Sequence, residues 1–149
     1  MALILIVAHA PLASALVSAA AHVFAEKAGA VVAVDVHPAD TLDAVDATVG
    51  RVLAEHPGQE TLMLTDVFGA TPCNGAIRHA DGLRVRLVAG VNVPMLWRAL
   101  CYSDEPLDRL VSRAVEGATM GVMQLSASRR QNQPSLLPCH DPVDPHHQQ

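Results

Sequence analysis

The sequence predicts an α/β fold of three layers, α/β/α, in which helices cover both faces of a mainly parallel central sheet. Short apolar runs of strand length alternate along the chain with longer segments in which apolar residues recur at helical spacing. The first run, ALILIVA (2–8), is apolar at every position, as expected of a strand that is covered on both faces. Single helices between successive strands imply right-handed crossovers and therefore parallel neighbours.

The individual elements follow from this alternation, and no internal repeat is present. The predicted strands are ALILIVA (2–8), AVVAVDV (30–36), TLMLT (61–65), LRVRLVAG (83–90) and MGVMQL (120–125). The predicted helices cover residues 11–28, 42–53, 72–79, 94–102 and 106–118. Pro11 suits the first turn of the first helix, because the N–H that proline lacks would have no partner there. Asp40 or Thr41 can cap the second helix.

Length and composition restrict the class of protein. The 149 residues are long enough to bury a core and short enough to form one domain. Half of the residues are hydrophobic but only 3% are aromatic, so Ala, Val and Leu must build that core. The net charge is −5 and Lys27 is the only lysine. This argues against a nucleic-acid-binding surface, because such a surface needs clustered Lys and Arg to neutralise phosphates.

The lack of a targeting signal and the spacing of the cysteines indicate a soluble, cytoplasmic protein. Residues 2–8 are too few to span a bilayer, and no basic flank precedes them. Cys73, Cys101 and Cys139 show no paired spacing, which suits a reducing compartment. The Cys and His residues near the end of the sequence match no zinc-ligand spacing, so we predict neither a metal site nor a cofactor.

The composition changes after about Ala127, where four prolines and many glutamines replace the apolar pattern. We expect residues 1–126 to form the folded domain and residues 127–149 to be a disordered tail.

Polar signals follow three of the predicted strands, at the sheet edge where open parallel sheets bind ligands. His9 follows the first strand, Asp66 the third and Gly90-Val91-Asn92 the fourth. A carboxylate that accepts a hydrogen bond from one imidazole nitrogen fixes the tautomer and leaves the other nitrogen as a nucleophile. A lone histidine is more often a structural residue, but its combination with Asp66 favours chemistry. We interpret Gly90-Val91-Asn92 as a supporting turn.

The loop after Asp66 favours an anionic group. It reads Gly69-Ala70-Thr71-Pro72, so that Thr71, a good N-cap residue, precedes a proline at the first helical position. The free N–H groups at a helix start carry partial positive charge and can hold a phosphate. Gly69 permits a tight turn. Another predicted helix begins beside His9, and no Lys or Arg is near it in sequence, which favours transient phosphate bonding.

Three segments together resemble a known family. His9 at a strand end, LTDVFGATPCN (64–74) and VAGVNVPML (88–96) are similar to the mannose-type IIA domain (mannose/fructose/sorbose family) of the bacterial phosphoenolpyruvate-dependent sugar phosphotransferase system. The resemblance covers residues 2–125. Each segment alone is a weak signal, but all three occur in the right order and at strand ends.

The resemblance implies a phosphotransferase that relays phosphoryl groups between histidines. The carrier protein HPr would donate its phosphoryl group to His9, which would pass it to a histidine of a IIB protein. By similarity, Asp66 orients His9 and stabilises it. Thr71 and the backbone amides of Gly69 and Ala70 would hold the phosphoryl oxygens.

The resemblance also implies an assembly. Phe68 would lie at the rim where the partner docks, and the family is typically homodimeric, with its last strand, here residues 120–125, antiparallel at the sheet edge. A membrane would be reached only through a IIC/IID transporter. The family loop often reads Gly-Gly-Ser-Pro, so Ala70 departs from it at a position where positive φ would favour glycine. No IIB domain follows in this sequence, so we expect the acceptor to be another chain.

Other functions share parts of this pattern. A signalling receiver is phosphorylated on an aspartate after the third strand, where Asp66 lies, but it also needs an acidic pair after the first strand to hold magnesium. This chain has His9-Ala10 there. A regulatory phospho-sensor would use His9 without feeding transport, and the phosphoryl-donor subunit of a dihydroxyacetone kinase has a domain of the same type. Adjacent genes for IIB, IIC and IID proteins would indicate transport.

Overall fold

The computed structural model describes residues 1–126, so the tail predicted for residues 127–149 lies outside the described residues. The strands are β1 (Leu3–His9), β2 (Val31–Val36), β3 (Thr61–Thr65) and β4 (Val85–Ala89). The α-helices are α1 (Leu12–Val23), α2 (Leu42–Glu55), α3 (Thr71–Ala76), α4 (Val93–Cys101) and α5 (Leu107–Met120). Short 3₁₀ turns are formed by Ala28–Ala30 and Ile77–His79. None of the helices in this part of the chain is long and apolar enough to cross a bilayer.

The four strands form one parallel sheet in the order β2-β1-β3-β4, which confirms the predicted α/β class. β1 lies in the interior of the sheet, where Ile6 pairs with Ala33 of β2 and with Leu64 of β3. Residues 3–8 of β1 are buried. The absence of polar residues from this run therefore has a physical cause, because both faces and both edges of β1 are covered.

Side chains of β1 alternate between two cores and so produce the three predicted layers. Ile4 and Ile6 pack into a core with residues of α1, α4 and α5. Leu5 and Val7 face the other side and pack with residues of α2 and with Ala76 of α3. Each such aliphatic side chain stabilises the fold by about 1.5–3 kcal/mol when it is fully buried.

A local hydrogen bond decides the start of α2, whereas the N-cap residue of α1 provides no side-chain cap. Thr41 caps α2, because its side chain accepts the N–H of Ala44 at 3.2 Å. Asp40, the alternative cap, instead accepts the amide of His37 at 2.7 Å. Pro11 lies at the N-cap of α1, one position before the first turn where we expected it.

The strand predicted for residues 120–125 does not form within the described part of the chain. Helix α5 extends through Met120 and ends on Gly121, whose amide donates to the carbonyl of Gly117 at 3.0 Å. Residues 122–126 pair with no strand in the described part of the chain, and Val122 and Leu125 are exposed. An apolar run becomes a strand only where a free edge meets it, and no edge of the chain's own sheet does so here.

The close contact between α2 and α3 depends on Gly75. A Cβ at this position would meet Cγ1 of Val45 at 2.6 Å, whereas a Cβ at the exposed Gly29 would meet nothing within 4 Å. We expect Gly75→Ala to lower the free energy of unfolding by about 1–3 kcal/mol, although alanine is the better helix former. Gly29→Ala should change it by less than about 0.5 kcal/mol. Urea denaturation of both variants measures the difference, and equal effects would contradict this packing.

Candidate functional site

The site lies at the carboxyl ends of two neighbouring strands. His9 is the last residue of β1, and Asp66 is the first residue after β3. The parallel register of the two strands sets Val7 opposite Thr65, so the chain positions that follow them leave the sheet side by side. The structure therefore brings together the histidine and the carboxylate that the sequence places on different strands.

Asp66 holds His9 at two atoms. Its Oδ2 accepts the Nδ1 of the His9 ring at 2.7 Å and the backbone N–H of His9 at 2.9 Å. Its Oδ1 accepts the amide of Val67 at 2.8 Å. The Asp66 side chain is only 9% exposed, whereas that of His9 is 55% exposed. The ring is thus anchored on one edge and open to solvent on the other.

The electrostatics of the pair determine the tautomer of His9. Burial raises the pKa of Asp66, but hydrogen bonds from the His9 amide, the His9 ring and the Val67 amide outweigh burial, so the pKa of Asp66 lies below its ordinary value. At neutral pH Asp66 is therefore an ionised, acceptor-only group. The proton between the residues belongs to Nδ1 of His9, and in the neutral ring Nε2 carries the free lone pair.

The loop between Asp66 and α3 differs from the prediction at the start of the helix. Ala70, and not Thr71, is the N-cap residue, and no side chain from the described residues caps α3. Thr71 is the first helical residue because Ala70 already has an extended conformation, with φ −80°. Positive φ falls on Gly69, at +85°, and not on Ala70. Alanine in place of the family's second glycine therefore causes no backbone strain in this loop.

The loop leaves several backbone amides without a protein acceptor. Within residues 1–126, the amides of Phe68, Gly69 and Thr71 donate to no protein group. The amide of Ala70 donates to the carbonyl of Val67 at 3.3 Å. Of the two amides that we predicted as phosphate ligands, that of Gly69 is free and that of Ala70 is engaged in this long turn bond. Phe68 itself is 79% exposed.

The turn Gly90-Val91-Asn92 supports the end of β3 through backbone amides and not through the side chain of Asn92. The amide of Gly90 donates to the carbonyls of Thr65 at 2.8 Å and of Asp66 at 3.0 Å, which holds the end of β3 in place. Asn92 is the N-cap of α4, where its side chain accepts the amide of Met95 at 2.9 Å.

Sequence reasoning missed two polar residues beside the site. The side-chain amide of Asn74, in α3, donates to the carbonyl of Gly69 at 2.8 Å. A carboxylate oxygen of Asp35, near the end of β2, accepts the amide of Ser14 in the first turn of α1 at 3.2 Å. We expected the N–H groups at the start of α1 to help hold an anion beside His9. The Asp35 carboxylate already accepts one of these N–H groups. Asp35 could have been found from the sequence, because it is the one acidic residue in the otherwise apolar run AVVAVDV.

Solved structures of low sequence identity share this fold. The mannose/sorbose-specific IIA subunit of the phosphotransferase system from Enterococcus faecalis is 24% identical, with a TM-score of 0.80, and the match covers 86% of this chain and 97% of that one. The phosphotransferase component EIIA from Streptococcus agalactiae is 23% identical, with a TM-score of 0.76 and coverages of 83% and 97%. A sigma-54 interaction domain protein from Enterococcus faecalis, 12% identical, reaches 0.64 with coverages of 80% and 92%.

Sequence comparison is more specific than the fold. No protein with a curated description matches this chain significantly. The family model described as "PTS system fructose IIA component" matches residues 3–115. That stretch is well over half of the chain and contains His9, Asp66 and the loop between β3 and α3. The protein therefore belongs to the fructose/mannose-type IIA components of the sugar phosphotransferase system.

Proposed function

We propose that this protein is a phosphoryl carrier that accepts a phosphoryl group from HPr on Nε2 of His9 and passes it to a IIB protein. Members of its family act in phosphoryl transfer within the sugar phosphotransferase system. The observation that carries the proposal is the 2.7 Å contact between His9 Nδ1 and Asp66, which leaves Nε2 as the free nitrogen of an exposed ring.

The proposed phosphoryl transfer needs neither a cofactor nor an external proton. The lone pair of His9 Nε2 attacks the phosphorus of the donor's phosphohistidine, and a new N–P bond forms while the donor's N–P bond breaks. The electron pair of the broken bond returns to the donor's imidazole nitrogen. His9 keeps the proton on Nδ1, so its ring becomes cationic, and the ionised Asp66 2.7 Å away stabilises that charge. The same steps in reverse order deliver the group to the acceptor.

The loop between β3 and α3 would hold the transferred group. The amides of Gly69 and Thr71 lack a protein acceptor within residues 1–126, and they follow Asp66 closely in sequence. Backbone N–H groups can stabilise phosphoryl oxygens without a full positive charge. A group held in this way is bound less firmly than by Arg or Lys, which suits a carrier that must release it. The Thr71 hydroxyl and the amide of Ala70 remain further candidate donors.

The surroundings of the site fit the proposed partners. Phe68 projects from the loop and is 79% exposed, as expected of an apolar contact for HPr or a IIB protein. The exposed apolar residues at 122–125 would be covered in a homodimer, which is the assembly that the resemblance implies. The proposed place of action is the cytoplasm, with a IIC/IID transporter as the indirect link to the membrane.

An aspartyl-phosphate receiver is less well supported. Both carboxylate oxygens of Asp66 accept hydrogen bonds, and the side chain is 9% exposed, so Asp66 is a poor nucleophile. A regulatory phospho-sensor and a donor subunit of a dihydroxyacetone kinase would use the same chemistry at His9. Neither has a separate observation in its favour.

Removal of the proposed acceptor tests the proposal directly. With phosphoenolpyruvate, enzyme I and HPr, the protein should take up one phosphoryl group on an acid-labile, base-stable site. We expect no uptake by His9→Ala, because within residues 1–126 no other histidine ring contacts Asp66. His22→Ala, which removes an exposed histidine from α1, is the matched control and should be labelled fully. Complete labelling of His9→Ala would refute the proposal.

Removal of the carboxylate should slow the transfer without abolishing it. In Asp66→Asn, the side chain no longer fixes the proton on Nδ1 and no longer balances the cationic ring. We expect the labelling rate to fall about 100-fold or more, as measured by rapid-quench labelling. Asp46→Asn is the matched control, because Asp46 contacts His79 Nε2 at 2.7 Å in a second Asp–His pair outside the site. Equal rates in the two variants would exclude this role for Asp66.

The docking role of Phe68 predicts a change in affinity and not in chemistry. We expect Phe68→Ser to raise the KM for phosphorylated HPr about tenfold, because an exposed aromatic side chain is lost from the contact. The maximal rate should stay within about twofold, since Phe68 makes no contribution to the His9–Asp66 hydrogen bonds. Leu83→Ser, at an equally exposed apolar residue, is the control and should leave the KM unchanged. An unchanged KM in Phe68→Ser would exclude Phe68 from the docking surface.

A further inference from the structure

We infer that Asn74 is a positioning residue for the transfer, and that it works by holding the Gly69 carbonyl against α3. The inference rests on the proposed function, because it concerns the loop amides that would hold the phosphoryl group. Within residues 1–126, Asn74 makes no hydrogen bond to His9 or Asp66. Its effect is therefore exerted through the loop.

Asn74 ties two successive carbonyls of the loop to one residue of α3. Its side-chain Nδ2 donates to the carbonyl of Gly69 at 2.8 Å, and its backbone N–H donates to the carbonyl of Ala70 at 2.9 Å. The second bond belongs to the helix and would be made by any residue at this position. The first bond needs a side-chain donor of this length.

The loop is weakly held without this side chain. Gly69 lies at φ +85° and, as a glycine, can change its backbone angles at little cost. The turn bond from the Ala70 amide to the Val67 carbonyl is 3.3 Å long, which is beyond the usual range for an N–H···O bond. The bond from Asn74 is therefore the shorter of the two hydrogen bonds on the Gly69–Ala70 peptide.

The direction of this peptide matters because the transferred group is an anion. A carbonyl oxygen carries partial negative charge, and the bond from Asn74 keeps the Gly69 oxygen on the α3 side of the loop. If the peptide rotated, that oxygen would be released, and it could face the phosphoryl oxygens and repel them. The Ala70 amide belongs to the same peptide and is held only by its 3.3 Å bond to Val67, so it would lose its orientation at the same time. Asn74 thus preorganises the loop for an anion.

Substitution of Asn74 tests this role by its effect on rate and affinity separately. Asn74→Ala removes the donor, and Asn74→Asp keeps the size but sets a carboxylate against the Gly69 carbonyl. We expect both to lower the maximal rate of transfer from phosphorylated HPr about 10- to 100-fold, with a KM within about twofold of wild type. Asn74→Gln, which retains the amide donor, should recover part of the rate.

A control variant separates positioning from general loosening of the fold. Arg78→Ala removes contacts at 3.3 Å with Asp43 and 3.1 Å with Asp46, which hold the turn after α3 against α2, and it does not touch the loop. It should lower the melting temperature while leaving the transfer rate unchanged. A wild-type rate in Asn74→Ala, or a loss no greater than in Arg78→Ala at equal stability, would overturn the inference.

A measurement without any phosphoryl donor keeps the two proposals separable. In ¹⁵N-labelled protein, the Gly69 and Ala70 amides should each give one sharp signal in wild type. They should split or broaden in Asn74→Ala, while the His9 ring nitrogens keep the same tautomer. Unchanged loop signals in Asn74→Ala would overturn the role of Asn74. Absence of labelling in wild type would instead overturn the proposed carrier function.

Discussion

Parallel pairing of β1 with β3 is the constraint on which the site depends. Parallel strands end at the same edge of a sheet, so the register that sets Val7 opposite Thr65 also brings His9 next to Asp66. The His9 Nδ1 atom lies 2.7 Å from Oδ2 of Asp66. That register is stable because every residue from 3 to 8 is apolar and buried, and a shift of one position would exchange the two cores. Apolar packing thus fixes the place of a polar pair.

The arrangement also explains how a carboxylate can assist a reaction of an anion. Direct contact between Asp66 and a phosphoryl group would be repulsive, but the imidazole ring of His9 separates them. Asp66 binds the Nδ1 edge, and the proposed transfer uses the Nε2 edge. Positive potential comes from backbone N–H groups of the loop, whose geometry depends on Gly69 and on its bond from Asn74. The site therefore combines one rigid pair on the sheet with one loop that a helix holds in place.

The predictions that succeeded rest on patterns that repeat along the chain. All four strands of the sheet and all five helices were predicted, because the strands are short and mainly apolar runs and a surface helix is apolar on one side. The errors concern single contacts. The strand expected at 120–125 is absent from the described structure. It was predicted from an apolar run, and such a run does not show whether a sheet edge is available to pair with it. Thr71 was predicted as the cap because its residue type fits, whereas the extended backbone of Ala70 sets the start of α3.

The sequence by itself determined the class of fold, the strand ends at which His9 and Asp66 stand, and the resemblance to the IIA family. These depend on the order and the chemical type of neighbouring residues. Only the tertiary structure decided that Nδ1 of His9, and not Nε2, faces Asp66, that Asp35 occupies the start of α1, and that Asn74 holds Gly69. Such contacts join a particular side-chain atom to a partner on another element or loop. Their formation depends on differences of a few tenths of an ångström, which no spacing in a sequence encodes.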